Sequence, residues 1–240
     1  MIVPRRPPFL PGLAALLCLA APAAAQDCRL ALVLALDVSS SVDPSEDRLQ
    51  REGMGRALLA PEVAEAFLAG DPVALYAFEW SGRNAQVPLL PGWVMVEDEP
   101  TLGAVARGIA KSRRSHDELP TAVGAALGFA ATRLREAPDC RARTVDVSGD
   151  GMHNEGFSPD LAYSTFPFEN VTVNALVIGG AENSEDLAEW FRAEVLHGPG
   201  AFLIFAEDYD SYEEAMKAKL LRELQPPAVS AISGRDRPAG

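Results

Sequence analysis

The sequence predicts a three-layer α/β fold, a mostly parallel sheet doubly wound with helices on both faces. Three observations predict it. Apolar runs of strand length alternate with helix-length segments along most of the chain. The strongest run, residues 30–36, contains no polar residue, as befits a strand covered on both faces. Two acidic turns, at Asp37 and Asp150, directly follow strand-like runs, where open α/β sheets carry their ligands.

The first 25 residues stand apart. Arg5 and Arg6 give a basic start, an apolar stretch runs from Phe9 to Ala21, and Ala23-Ala24-Ala25 supplies small residues before Gln26. That order predicts a cleavable secretory signal over 1–25, cut after Ala25, and hence a periplasmic or extracellular protein. The stretch is short for a membrane span and holds Pro11. A retained anchor is the alternative. Lipidation at Cys18 fits poorly, because Ala15-Leu16-Leu17 precedes it.

Six strands are expected in order: 30–36, 73–78, a weaker one at 86–90, 144–147, 171–178 and 201–205. Helices fit between them. Pro44 suits a first helical turn leading through Arg48, Leu49, Met54 and Leu58, with Asp43 as its cap. Residues 101–112 and the Ala-rich 122–135 follow. Ser184, Glu185 and Asp186 open a helix holding Leu187, Trp190 and Phe191, and 212–224 forms the last. Pro226 and Pro227 begin a tail over 226–240 that reads as flexible. With neither an internal repeat nor a second boundary, the chain is expected to hold one domain over 26–225.

Composition narrows function. An apolar content of 48% over 240 residues suffices for a substantial core. The net charge of −13 becomes −15 once the signal takes away two arginines and no acids, which argues against nucleic acid as a partner. Cys28 and Cys140 remain, and two cysteines in an oxidising compartment commonly pair. Each precedes a strand, so if those strands are parallel neighbours the two lie at one sheet end and can bridge. Two free thiols are the alternative.

The chemistry concentrates in Asp37-Val38-Ser39-Ser40-Ser41, a D-x-S-x-S spacing directly after the first strand. One carboxylate and two hydroxyls on a strand-end loop suit a hard divalent cation, magnesium above all, with manganese and calcium as alternatives. Asp and Ser also populate ordinary turns, so this segment alone does not decide. Two later features add weight: Thr121, opening the Ala-rich helix, and Asp150 in Ser148-Gly149-Asp150-Gly151. A sheet ordered 3-2-1-4-5-6 brings the carboxyl ends of the first and fourth strands together, placing Asp37, Ser39 and Ser41 opposite Asp150 with Thr121 beside them. Ser40 alternates away.

On these residues the chain resembles the von Willebrand factor A family with its metal-ion-dependent adhesion site, over roughly residues 28–225. The Ser-Gly-Asp-Gly turn is similar to that of a subgroup of secreted bacterial A-type proteins of unestablished function. Leu119-Pro120 stands where family members often carry glycine before the threonine. The resemblance implies an antiparallel third strand at the sheet edge. It also implies a metal set of Asp37, Ser39, Ser41, Thr121 and Asp150, and a partner protein that presents a carboxylate to the ion.

Other residues have plainer readings. Asp146 lies within a strand and is expected to accept a structural hydrogen bond or orient a ligand. His153, Asn154 and Glu155 sit on the rim as hydrated loop residues. Glu79 shapes the rim, and Trp80, Trp93 and Trp190 pack. The sequence lacks G-x-S-x-G, a phosphate loop and H-E-x-x-H. A metal-assisted hydrolase using His153 is the enzymatic alternative, and a structural envelope protein with a vestigial site is a third.

Overall fold

The computed structural model describes residues 28–180 and 184–225. The expected signal segment and tail lie outside the described residues. Strand β1 (Cys28–Asp37) has nine of its ten residues buried. It pairs in parallel with β2 (Val73–Trp80) on one side and β5 (Cys140–Gly149) on the other. Beyond β5 lie β6 (Val171–Ile178) and β7 (Leu203–Ala206), both parallel. On the far edge β3 (Gln86–Pro88) pairs antiparallel with β2, giving the order β3-β2-β1-β5-β6-β7. This is the expected order, with one addition. The short strand β4 (Val94–Val96), absent from the sequence reading, also pairs antiparallel with β2.

The polar-free run of β1 splits its residues between two cores, because successive strand side chains face opposite ways. Leu30, Leu32, Leu34 and Leu36 face the layer of α1 (Pro44–Leu59), α2 (Pro61–Leu68), α3 (Glu99–Ala110) and α7 (Tyr212–Glu223). Ala31, Val33 and Ala35 face α4 (Val123–Leu134), α5 (Pro159–Thr165) and α6 (Ser184–Glu194). Small residues on that side let Ala126 and Ala130 of α4 join the buried layer. Helices α2 and α5 were not expected. The Ala-rich helix begins at Val123, so Thr121 stands two residues ahead of it in the loop rather than opening it.

Local chemistry sets the element ends. Asp43 caps α1, accepting from the backbone of Ser45 and Glu46 at 2.6 and 2.9 Å, while Glu46 accepts from Asp43 N at 2.7 Å. Gly124 is dictated by proximity: a Cβ there would lie 1.9 Å from the Phe157 carbonyl oxygen, so α4 starts pressed against the loop that follows β5. Cys28 and Cys140 are register partners in β1 and β5 and form a disulfide, with Cα atoms 4.4 Å apart. It joins the starts of the two central strands, at the sheet end opposite Asp37 and Asp150.

Candidate metal centre

Strands β1 and β5 end side by side where the strand order reverses, and two loops leave from there. Asp37 ends β1 fully buried, and its Oδ1 accepts from Ser39 N at 2.7 Å. Ser39 Oγ lies 3.1 Å from Ser41 Oγ and accepts from Thr121 Oγ1 at 3.2 Å. Ser41 Oγ donates to Asp150 Oδ1 at 2.6 Å. All five residues singled out in the sequence therefore fall in one connected cluster. Ser40 N is bonded elsewhere, to Leu119 O at 2.8 Å.

Neighbouring backbone shapes this cluster. Gly151 runs beside it, since a Cβ there would meet Thr121 Oγ1 and Ser41 Oγ at 3.5 and 3.6 Å. Ser39 and Thr121 are buried, Asp150 is partly so, and Ser41 is exposed, so the cluster opens to solvent on the Ser41 side. Among the described residues no three His, Cys, Asp or Glu side chains converge to hold an ion. This centre has only two carboxylates, and its other oxygens are neutral hydroxyls.

Electrostatics mark the pair as unbalanced. Burial, followed by repulsion from Asp150, pushes the Asp37 carboxyl up to about 8. Burial likewise raises Asp150, against hydrogen bonds from Ser41 and Tyr209. Asp37 Oδ2 is buried and has no hydrogen-bond partner. A buried, unpartnered carboxylate oxygen is costly and rare in a native fold, and an ion is one of the things that explains it. The all-oxygen donor set, with two negative charges, fits a hard dication.

Several residues hold this arrangement through contacts that the sequence does not announce. The Arg114 guanidinium donates to the carbonyls of Val38, Val42 and Ser39 at 2.9, 2.7 and 2.8 Å, fixing the D-x-S-x-S loop from behind. Its own loop is anchored by Glu79, which accepts from Ser115 N at 2.7 Å and forms a buried ion pair with Arg51. Gln50 donates to Asp37 O at 2.8 Å. Asn154, read as a hydrated rim residue, clamps Thr121 in both directions: its Oδ1 accepts from Thr121 N at 2.8 Å and its N–H donates to Thr121 O at 2.9 Å. Nothing in the spacing of Arg114 or Asn154 signals these contacts, because each joins segments far apart in the chain.

The remaining rim residues do other work. Glu155 pairs with Arg83 at 3.0 Å across the exposed edge. His153 is half-buried, burial lowers its pKa, and its Nδ1 has no hydrogen-bond partner. Trp80 is fully buried. Asp146 was expected to accept a structural hydrogen bond or orient a ligand, and its partner is a cation. It forms a buried ion pair with Lys219 of α7 at 2.7 Å.

Residues 27–228 match the family described as protein of unknown function (DUF1194). The chain belongs to that family. No curated protein matches this DUF1194 chain. Among solved structures it is similar to proximal thread matrix protein 1 from the mussel byssus with a zinc-occupied MIDAS motif, with a TM-score of 0.59 at 16% identity over 82% of this chain and 48% of that one. A von Willebrand factor type A protein from Catenulispora acidiphila gives a TM-score of 0.58 at 16% identity, over 82% and 43%. The pilus adhesin SpaC from Lactobacillus rhamnosus GG gives 0.59 at 12% identity, over 82% and 30%. The chain spans less than half the length of these structures. At such identities the likeness establishes a shared A-type fold and not a shared activity.

Proposed function

We propose that this DUF1194 protein is an exported recognition module. In this reading it holds a divalent cation, magnesium first, between Asp37, Ser39, Ser41, Thr121 and Asp150, and through it binds a carboxylate of a partner protein. The observation that carries the reading is the cluster itself: three hydroxyls and two carboxylates from three distant segments, with Asp37 Oδ2 buried and unpartnered. The bound ion would supply an electrophilic coordination position, since two carboxylates only balance its charge and the other protein ligands are neutral.

The chain's own residues do the rest. Arg114 and Gln50 hold the first loop by its carbonyls, and Asn154 holds Thr121 by its backbone. The exposed Ser40 and Ser41 leave the mouth accessible to a large partner, and Met152, 41% exposed, offers an apolar contact beside it. Neighbours of this fold lend support, one being a matrix protein with zinc in its MIDAS motif and another a pilus adhesin. Export over a signal at 1–25 agrees with the Cys28–Cys140 disulfide, which persists in oxidising compartments. Among the described residues no helix is long and apolar enough to cross a membrane. The tail over 226–240 is then a segment beyond the recognition domain.

Titration calorimetry with magnesium or manganese tests the ion, and a pull-down from envelope extract with magnesium or a chelator tests the partner. Under this reading ion binding is saturable and abolished by Asp37→Ala, and a partner is retained only with metal. Equal recovery under both conditions rejects it.

A further inference from the structure

Asp150 directly follows strand β5, and Asp146 and Ser148 within that strand share one face. Each of the three meets a polar group from α7 or the turn before it. Asp146 pairs with Lys219 at 2.7 Å, Ser148 Oγ lies 3.3 Å from Tyr212 Oη, and Asp150 Oδ2 accepts from Tyr209 Oη at 3.1 Å. Lys219, Tyr212 and Tyr209 are all buried. The ladder therefore fixes one register of α7 against β5. The turn holding Tyr209 is itself closed, with Asp208 accepting from Ser211 N and Oγ at 2.8 and 2.6 Å.

We propose that Tyr209 is a positioning residue of the metal centre, its phenol holding one oxygen of Asp150 so that the other stays turned into the hydroxyl cluster. This rests on the metal reading above. The two oxygens of Asp150 are already divided in this way, Oδ1 accepting from Ser41 and Oδ2 from Tyr209. A carboxylate tethered at one oxygen cannot rotate freely about its own axis, so the donor it offers the ion is oriented beforehand. Outer partners of metal ligands act in this manner. Tyr212 is the internal comparison: it belongs to the same ladder and is more buried, but its hydrogen bond goes to Ser148, which is not in the ligand set.

The test is manganese affinity, read by the loss of the free-ion electron paramagnetic signal, for the wild-type chain, Tyr209→Phe and Tyr212→Phe. Melting temperatures of the metal-free proteins accompany it. Tyr209→Phe should weaken binding roughly 10- to 100-fold while the metal-free melting temperature moves by only a few degrees. Tyr212→Phe should lower the melting temperature and leave affinity within about twofold, the margin expected of a change that touches no ligand. Unchanged affinity in Tyr209→Phe, or an equal loss in Tyr212→Phe, overturns the positioning role alone. A wild-type chain that binds no manganese overturns the metal reading and this inference with it.

Discussion

Replacing Lys219 by methionine probes the ladder at its far end. The Lys219, Asp146 and Glu223 side chains are fully buried, with Nζ 2.7 Å from Asp146 Oδ1 and 2.6 Å from Glu223 Oε1. Asn174 Nδ2 donates to the same Glu223 oxygen at 2.8 Å. Methionine fills similar space, so packing is largely kept and the cost is electrostatic. Two carboxyl groups are left buried without a cation, which costs about 3–5 kcal/mol. For a domain of this size that corresponds to roughly 6–20 °C in melting temperature.

The pH dependence of that loss has a definite sign. Burial pushes the Asp146 carboxyl up to about 7, with Lys219 opposing and Glu223 adding to the rise. A carboxyl raised in the folded state stabilises the fold below its unfolded value, near 3.8, and that contribution is lost as pH climbs through about 7. Removing Lys219 takes away the group that holds it down. Urea unfolding should therefore show the full loss at pH 8 and a smaller one at pH 5.5, where the orphaned Asp146 takes up a proton. A loss under about 1 kcal/mol at pH 8, the scale of an exposed ion pair, or a larger loss at pH 5.5, would rule out an uncompensated buried charge as its source.

Four further outcomes are expected. Reducing the Cys28–Cys140 disulfide, which spans 112 residues, should cost about 2–5 kcal/mol in urea unfolding while magnesium affinity stays within about twofold, since the bond lies at the opposite sheet end. Magnesium affinity should rise from pH 6 and level off above about 8, where Asp37 no longer holds a proton, with calorimetry in buffers of different ionisation enthalpy detecting proton release. Correspondingly, stability without metal should fall as pH rises through about 8. Gly124→Ala should destabilise by roughly 1–3 kcal/mol or more, because its methyl group meets the Phe157 carbonyl, and should weaken ion binding by shifting the loop that carries Asn154.

What the sequence made legible was whatever is local. The polar-free run of β1, the apolar runs of β5 and β6 and the carboxylate-and-hydroxyl spacing after β1 are read within a few residues, and together they place the strand order and the five clustered side chains. The Asp43 cap is equally local. Elements were missed where the signal was short or shared. Strand β4 has three residues, only one of them buried, and α2 follows α1 with Ala60 alone between them. Helix α5 did carry a signal, since Ser158 followed by Pro159 is a cap and first-turn pair.

Contacts across the fold were not legible. Lys219 sits in a helix beside Lys217 and Arg222, where a lysine usually faces water, and only the arrival of Asp146 makes its burial tolerable. Asp146 reads as a structural residue, but its cationic partner is not legible because it lies 73 positions away. Tyr209 and Arg114 likewise acquire their roles from loops distant in sequence. Residue spacing shows which groups can serve a site, while the packing of α7 and the loop before α4 decides which groups hold it.

The proposed function requires one cation among five oxygen-bearing side chains. Anomalous diffraction from crystals grown with manganese tests it most directly. A single strong peak is expected within coordination range of the side chains of Asp37, Ser39, Ser41, Thr121 and Asp150, directly or through water. A peak elsewhere, or none at saturating manganese, contradicts it.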